Sequence, residues 1–155
     1  MSDAYTLVPV ARVLGGRDDV RDDDWGAERA TIRLDGDRFA AEALTGLDAF
    51  SHLEVVYLFD RVDPDRVERG ARHPRGNPDW PRVGIFAQRA KDRPNRLGVS
   101  RCRLLGVDGL DLAVAGLDAV DGTPVLDIKP YMNEFAPREP VHQPAWATEL
   151  MAGYW

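Results

Sequence analysis

Four cationic side chains, Arg89, Lys91, Arg93 and Arg96, fall within eight residues, beside one acid, Asp92, and around the pair Pro94-Asn95. Arginine offers a planar fork of N–H donors that matches carboxylates and phosphates, so this density suits an anion or cofactor loop. It suits a solvated surface turn equally well, and the residues alone leave both readings open. A second group is Asp127, Lys129 and Tyr131. Side chains two apart in a strand share a face, so a carboxylate, an ammonium and a ring would line one wall. A cross-strand charge ladder produces the same pattern. Other familiar chemistry is missing: the sequence holds no Gly-x-Ser-x-Gly, no Walker loop, no His-Glu-x-x-His and no Gly-x-Gly-x-x-Gly. His52, His73 and His142 lack metal-ligand spacing, so no metal is implied. The single Cys102 excludes an internal disulfide and reads as a small buried residue.

The elements that must position these residues are mostly strands. Residues 83–87 form an apolar strand leading into the basic turn, and 97–107 a strand leading out of it. Ala30, Ile32 and Leu34 alternate with Thr31 and Arg33, which predicts a half-buried strand within 27–34. Residues 52–59 (HLEVVYLF) read as a nearly continuous apolar strand of the interior. Further strands are expected at 5–14, with Pro9 at an edge or bulge, at 110–115 after an Asp108-Gly109 turn, and at 125–128. A helix is expected over 39–50, broken near Gly46, and a short one over 144–152 with Pro144 at its start. Residues 15–25, rich in acids, read as an exposed loop, and 61–81, with four prolines and two glycines, as a long irregular one. The pattern predicts a mostly β chain, a single-domain β-barrel or sandwich of short strands with small peripheral helices.

Length and charge narrow the function. One hundred and fifty-five residues suit one domain. There is no apolar run of 18 residues and no secretory leader, so a cytoplasmic protein is the expectation. The net charge of −6 argues against indiscriminate nucleic-acid binding. Its distribution is uneven: residues 1–60 carry −7, residues 61–103 carry +7 and residues 104–155 carry −6. A basic segment inside an acidic chain fits a local site for anionic groups.

Taken as strings, three stretches become recognisable. Gly84-Ile85-Phe86-Ala87-Gln88-Arg89 followed by Arg93-Pro94-Asn95 and Leu97-Gly98-Val99-Ser100, the later Asp121-Gly122-Thr123-Pro124-Val125-Leu126-Asp127-Ile128-Lys129-Pro130-Tyr131, and Leu47-Asp48-Ala49-Phe50-Ser51-His52-Leu53 resemble the TrmO/TsaA-like (YaeB/VirR) family of S-adenosylmethionine-dependent tRNA methyltransferases. The family-like core covers about residues 5–135 of one domain spanning 1–155, with a short aromatic C-terminal tail at 136–155. That tail stands where some tRNA-modifying members carry an appended domain.

The resemblance implies a β-barrel methyltransferase that works as a homodimer on N6 of N6-threonylcarbamoyladenosine, beside the tRNA anticodon. It implies S-adenosyl-L-methionine contacts at Phe86, Ala87, Gln88, Arg89, Arg93, Pro94 and Asn95, joined by Leu117, Asp121 and Thr123. Because the attacking N6 must shed a proton in that reaction, Asp127 is expected to accept it, Lys129 to bind the threonyl carboxylate or a phosphate, and Tyr131 to stack or orient. The chain departs from the family where Arg-Pro-Asn continues with Arg96 rather than proline, and where Ala90-Lys91 replace Ser-Pro. These departures bear on the acceptor. Two alternatives therefore stand beside the tRNA enzyme: a methyltransferase of the same fold acting on a small molecule or another nucleoside, and a non-catalytic S-adenosylmethionine-binding module.

Overall fold

A computed structural model describes residues 3–155. Among the described residues eight strands form: β1 Ala11–Leu14, β2 Arg29–Leu34, β3 His52–Leu58, β4 Ala71–Arg72, β5 Val83–Gly84, β6 Leu97–Asp108, β7 Asp111–Ala115 and β8 Pro124–Pro130. Six of them close into an antiparallel barrel in the order β1-β2-β7-β6-β3-β8, while β4 and β5 pair separately. Closure leaves no sheet edge running the length of the barrel.

Period-two alternation builds the core. Leu53, Val55 and Tyr57 of β3, Ile32 and Leu34 of β2, Leu112 and Val114 of β7, and Val13 and Val125 all point inward. Residues 52–58 had the composition of a strand buried on both faces, yet only every second residue is buried. Strand β6 serves two neighbours in turn: Leu97 to Arg103 pair with β3, and Arg103 to Asp108 pair with β7. The register shifts between Leu104 and Gly106, the kind of bulge that lets one strand bend around a barrel corner.

Several expectations need correction. The helix expected over 39–50 is two 3-10 turns, Ala41–Leu44 and Leu47–Ala49, separated by Gly46 at φ 86°. One residue in the left-handed region is enough to stop a helix this short. The strand expected from residue 5 begins only at Ala11. The β6–β7 hairpin loop, expected at Asp108-Gly109, is Gly109-Leu110, since Asp108 pairs with Asp111, and Gly109 supplies φ 61°. The loop expected over 61–81 contains β4 and 3-10 turns at Pro64–Arg66 and Pro74–Gly76. The acidic loop 15–25 is not uniformly exposed, because Arg17 and Trp25 are buried. Arg17 donates to the carbonyls of Asp23 (2.7 Å) and Asp24 (2.6 Å), pairs with Glu28 at 3.2 Å, and lies 3.9 Å above the Trp25 ring. The loop thus folds around a guanidinium whose donors its own carbonyls satisfy.

The short helix α1, Ala145–Leu150, and the residues after it fold back onto that loop. Asp24 donates to the Gly153 carbonyl at 3.0 Å and Trp25 to the Tyr154 carbonyl at 2.8 Å. Among the described residues no helix is long and apolar enough to cross a membrane.

Candidate functional site

The basic turn is held by its own cations. After β5 the chain makes a 3-10 turn, Ile85–Ala87, which buries Ile85 and leaves Phe86 77% exposed. The buried Gln88 amide then donates to the carbonyls of Arg72 (3.1 Å) and Val83 (3.0 Å), tying the turn to the β4–β5 pair. Arg93 donates to the Gln88 carbonyl at 2.6 Å, and Asp92 pairs with Arg72 at 3.1 Å. Arg96 reaches back to the Val62 carbonyl at 2.8 Å. Arg89 donates to the Val99 carbonyl at 2.7 Å, on the half of β6 that β7 does not cover. Three guanidinium groups bonded to backbone carbonyls distinguish this turn from a freely solvated one. Pro94 opens its last 3-10 turn, and the open surface that remains includes Phe86, Ala87 and Asn95.

Asn95 and Arg96 both sit in the left-handed region, at φ 62° and 50°. Proline is locked near −65°, so a proline at position 96 could not adopt this backbone. Arg96, where the chain departs from the family string, thus brings a backbone conformation closed to proline as well as a charge. Past the turn, Gly98 is explained by packing: a Cβ there would lie 2.6 Å from two atoms of the Tyr57 ring and 2.9 Å from Phe59.

The connection from β7 to β8 is organised by short hydrogen bonds. Leu117 packs into the core, and the buried Thr123 hydroxyl donates to the Val120 carbonyl at 2.7 Å. The Asp121 carboxylate accepts the Gly15 N–H at 2.8 Å, and its backbone carbonyl accepts from Arg61 at 3.0 Å. Between them stands Asp118, which sequence reasoning missed. The Tyr57 hydroxyl donates to its carboxylate and to its backbone carbonyl, each at 3.1 Å, and the Tyr154 hydroxyl donates to its other carboxylate oxygen. One signal was available: a tyrosine on an inward position of an apolar strand needs a partner for its hydroxyl. Burial, and after it the Asp118 charge, push both phenols well above the ordinary tyrosine value, opposed in part by Arg89.

Asp127, Lys129 and Tyr131 do share one outward row. Register pairs Val56 of β3 with Val99 on one side and Asp127 on the other, and Glu54 with Arg101 and Lys129. Asp127 bonds Lys129 at 2.8 Å, Glu54 bonds Arg101 at 3.1 Å, and Arg101 lies 5.0 Å over the Tyr131 ring. The wall and the charge ladder are the same object. The hydrogen bond that Lys129 donates to the Asp127 carboxylate raises the Lys129 pKa. Val99 joins the two groups: its carbonyl takes the Arg89 bond, while its side chain shares a row with Asp127. Cys102 faces the interior, where burial pushes its thiol up to about 12, which keeps it out of nucleophilic chemistry. Among the described residues no three His, Cys, Asp or Glu side chains gather as a metal site.

A closed six-stranded antiparallel barrel, with a braced basic turn at one strand end and a charged outward row beside it, defines a β-barrel class distinct from doubly wound enzymes. Residues 23–136 match the family described as the tRNA-methyltransferase O N-terminal domain, and the chain belongs to that family. It is 43% identical over 108 residues to a putative S-adenosylmethionine-dependent methyltransferase, RcsF, of Pseudomonas aeruginosa, covering 68% of this chain and 46% of the relative. It is also 43% identical over 98 residues to the tRNA (adenine(37)-N6)-methyltransferase of Escherichia coli, covering 59% and 40%. A crystal structure of TrmO from Pseudomonas aeruginosa superposes with a TM-score of 0.75 at 27% identity, over 94% of this chain and 63% of that one. The chain thus spans less than half the length of the two sequence relatives.

Proposed function

We propose that this chain, acting as one domain over residues 1–155, is an S-adenosylmethionine-dependent methyltransferase for N6 of the threonylcarbamoylated adenine at tRNA position 37. The observation that carries the reading is the placing of two groups on either side of β3: the braced turn, with Arg89 bonded to Val99 of β6, and the Asp127–Lys129–Tyr131 row, with both Val99 and Asp127 in register with Val56. The relatives named for the same chemistry support it.

The residues present fit the methyl donor. A ring as exposed as Phe86, on a turn fixed from three sides, offers an apolar face for an adenine, and Ala87 and Asn95 leave backbone groups beside it. Arg89 and Arg93 suit its carboxylate, while Gln88, Pro94, Leu117 and Thr123 hold the surrounding backbone in place. Asp121 adds a negative charge suited to a cationic ligand. Bound there, S-adenosylmethionine supplies an electrophilic methyl group. The protein's share is then alignment, which can lower a two-reactant barrier by about 7–11 kcal/mol, and proton removal. Asp127 accepts the proton leaving N6, Lys129 binds the acceptor's carboxylate or a phosphate, and Tyr131 orients the base. The apolar side chains around the turn, Phe86, Leu97 and Val99, are exposed together and suit a second copy of the chain. A tRNA acceptor places the work in the cytoplasm.

The test uses purified protein, its mass measured by light scattering, with methyl-labelled S-adenosylmethionine and tRNA from a strain lacking its own enzyme. The expected result is a dimer that labels the modified adenosine. Labelling of a small-molecule extract alone would favour the second acceptor class, to which the departure at Arg96 points. Donor binding with no transfer to either would leave a binding module, and a monomer that still labels would remove the dimer.

A further inference from the structure

Asp118 belongs to none of the roles assigned above, yet it is the most heavily engaged group of the β7–β8 connection. Each of its carboxylate oxygens is taken by a different tyrosine, Tyr57 on one and Tyr154 on the other. Tyr57 is a rigid post: its ring is wedged against Gly98 and meets Phe59 edge-on at 5.4 Å. Tyr154 arrives from the segment after α1. Its backbone is bonded to Trp25, its ring meets Trp155 edge-on at 4.8 Å, and Trp155 lies so close to Gly26 that a Cβ there would be 2.8 Å from it. The β1–β2 connection grips the β7–β8 connection at both ends: Gly116 donates to the Glu28 carbonyl and Asp121 to the Arg17 carbonyl, each at 2.8 Å. Residues 116–123 are thus clamped at both ends by one loop and near the middle by two hydroxyls, one of them supplied by the 153–155 segment. The clamped segment carries Leu117, Asp121 and Thr123, the three residues of the β7–β8 connection assigned to the donor site, with Asp121 bonded to the Gly15 amide and Thr123 to the Val120 carbonyl.

We infer that Tyr154 is a positioning residue for the donor site: acting through Asp118, it fixes the 116–123 segment, so that docking of residues 153–155 and binding of the donor favour each other. This rests on the donor-site reading proposed above. The physical basis is that a hydrogen bond to a charged acceptor is a strong one, and losing it frees one carboxylate oxygen inside the clamp. Such coupling must be reciprocal: if the docked segment improves donor binding, the donor must hold the segment more firmly.

The test is calorimetric titration of S-adenosylhomocysteine into the intact protein and two variants. Tyr154→Phe keeps the ring and removes the hydroxyl; it is expected to weaken binding about tenfold, the factor corresponding to one charged hydrogen bond. Trp80→Phe removes the 2.8 Å bond from the Trp80 indole to Glu149, which anchors α1, the helix leading into that segment, without touching Asp118. It is expected to change affinity less than twofold. Hydrogen exchange of the Asp24 and Trp25 amides, which donate to Gly153 and Tyr154, should slow on binding in the parent and not in Tyr154→Phe. Should Tyr154→Phe prove unstable, Asp118→Asn gives the same reading, and the double variant should bind no more weakly than Asp118→Asn alone. Parental affinity in Tyr154→Phe, or an equal loss in Trp80→Phe, overturns the inference and leaves the donor site standing. No binding by the parent overturns the donor site itself, and the inference falls with it.

Discussion

Asp118 and Asp127 stand nine residues apart along the same stretch of chain, and the barrel gives them opposite surroundings. Asp118 lies between two tyrosine hydroxyls that occupy both its oxygens. Asp127 stands on the outer wall with half of its side chain exposed, sharing one oxygen with Lys129 and the other with the Ile128 amide. A carboxylate with both oxygens committed to fixed protein donors holds geometry. One that faces outward beside a mobile ammonium has access to an incoming substrate, which is what a proton acceptor needs first. The difference separates the acid that shapes the site from the acid proposed to work in it.

Breaking the comparison at Asp127 has the largest expected effect. Asp127→Asn should lower single-turnover methyl transfer at saturating donor by about 100-fold or more, the usual contribution of a positioned base. Its unfolding free energy in urea should stay within about 0.5 kcal/mol of the parent, as for other exposed sites. Unchanged turnover would remove Asp127 from the proton path and leave the row as a structural ladder.

The comparison is sharpened on the other side by Gly98, which lets Tyr57 reach Asp118. Gly98→Ala places a methyl group against two ring atoms and should cost about 1–3 kcal/mol in urea unfolding, the range for overpacking a filled core. Gly106→Ala is the control on the same strand, since nothing lies within 4 Å of its would-be Cβ. Equal effects at the two glycines would mean that strand propensity, and not the Tyr57 ring, explains Gly98.

These two sites also show where the sequence was legible. Alternation in residues 30–34 marked a barrel strand, and Gly109 marked the following hairpin to within one residue, because that signal is local. The spacing of Asp127, Lys129 and Tyr131 put them on one face for the same reason. What escaped depends on partners far away in the chain. Arg17 and Trp25 sit in a stretch whose composition is that of a solvated loop, and their burial follows from carbonyls that turn toward one guanidinium. Asp118 gains its role from Tyr154, 36 residues further on. Arg96 could be identified as a break in the family string, but the bond its guanidinium makes to the Val62 carbonyl, 34 residues earlier, could not. Residues 39–50 had helical composition and lost it to Gly46.

The smallest expected effect tests the buried side of the comparison by pH. Burial and the Asp118 charge raise both phenols, so the folded protein keeps two protons that the unfolded chain releases near pH 10. The folded state then binds more protons than the unfolded one, and stability must fall as pH rises past that point. Their contribution is fully present below about pH 10 and is lost progressively above it. Urea unfolding midpoints should therefore decline between about pH 9.5 and 11.5, beyond the loss expected for ordinary exposed tyrosines. Tyr154→Phe should remove part of this slope, and Asp127→Asn should leave it as it is. A slope that Asp127→Asn removes and Tyr154→Phe does not would reverse the assignment of the two acids.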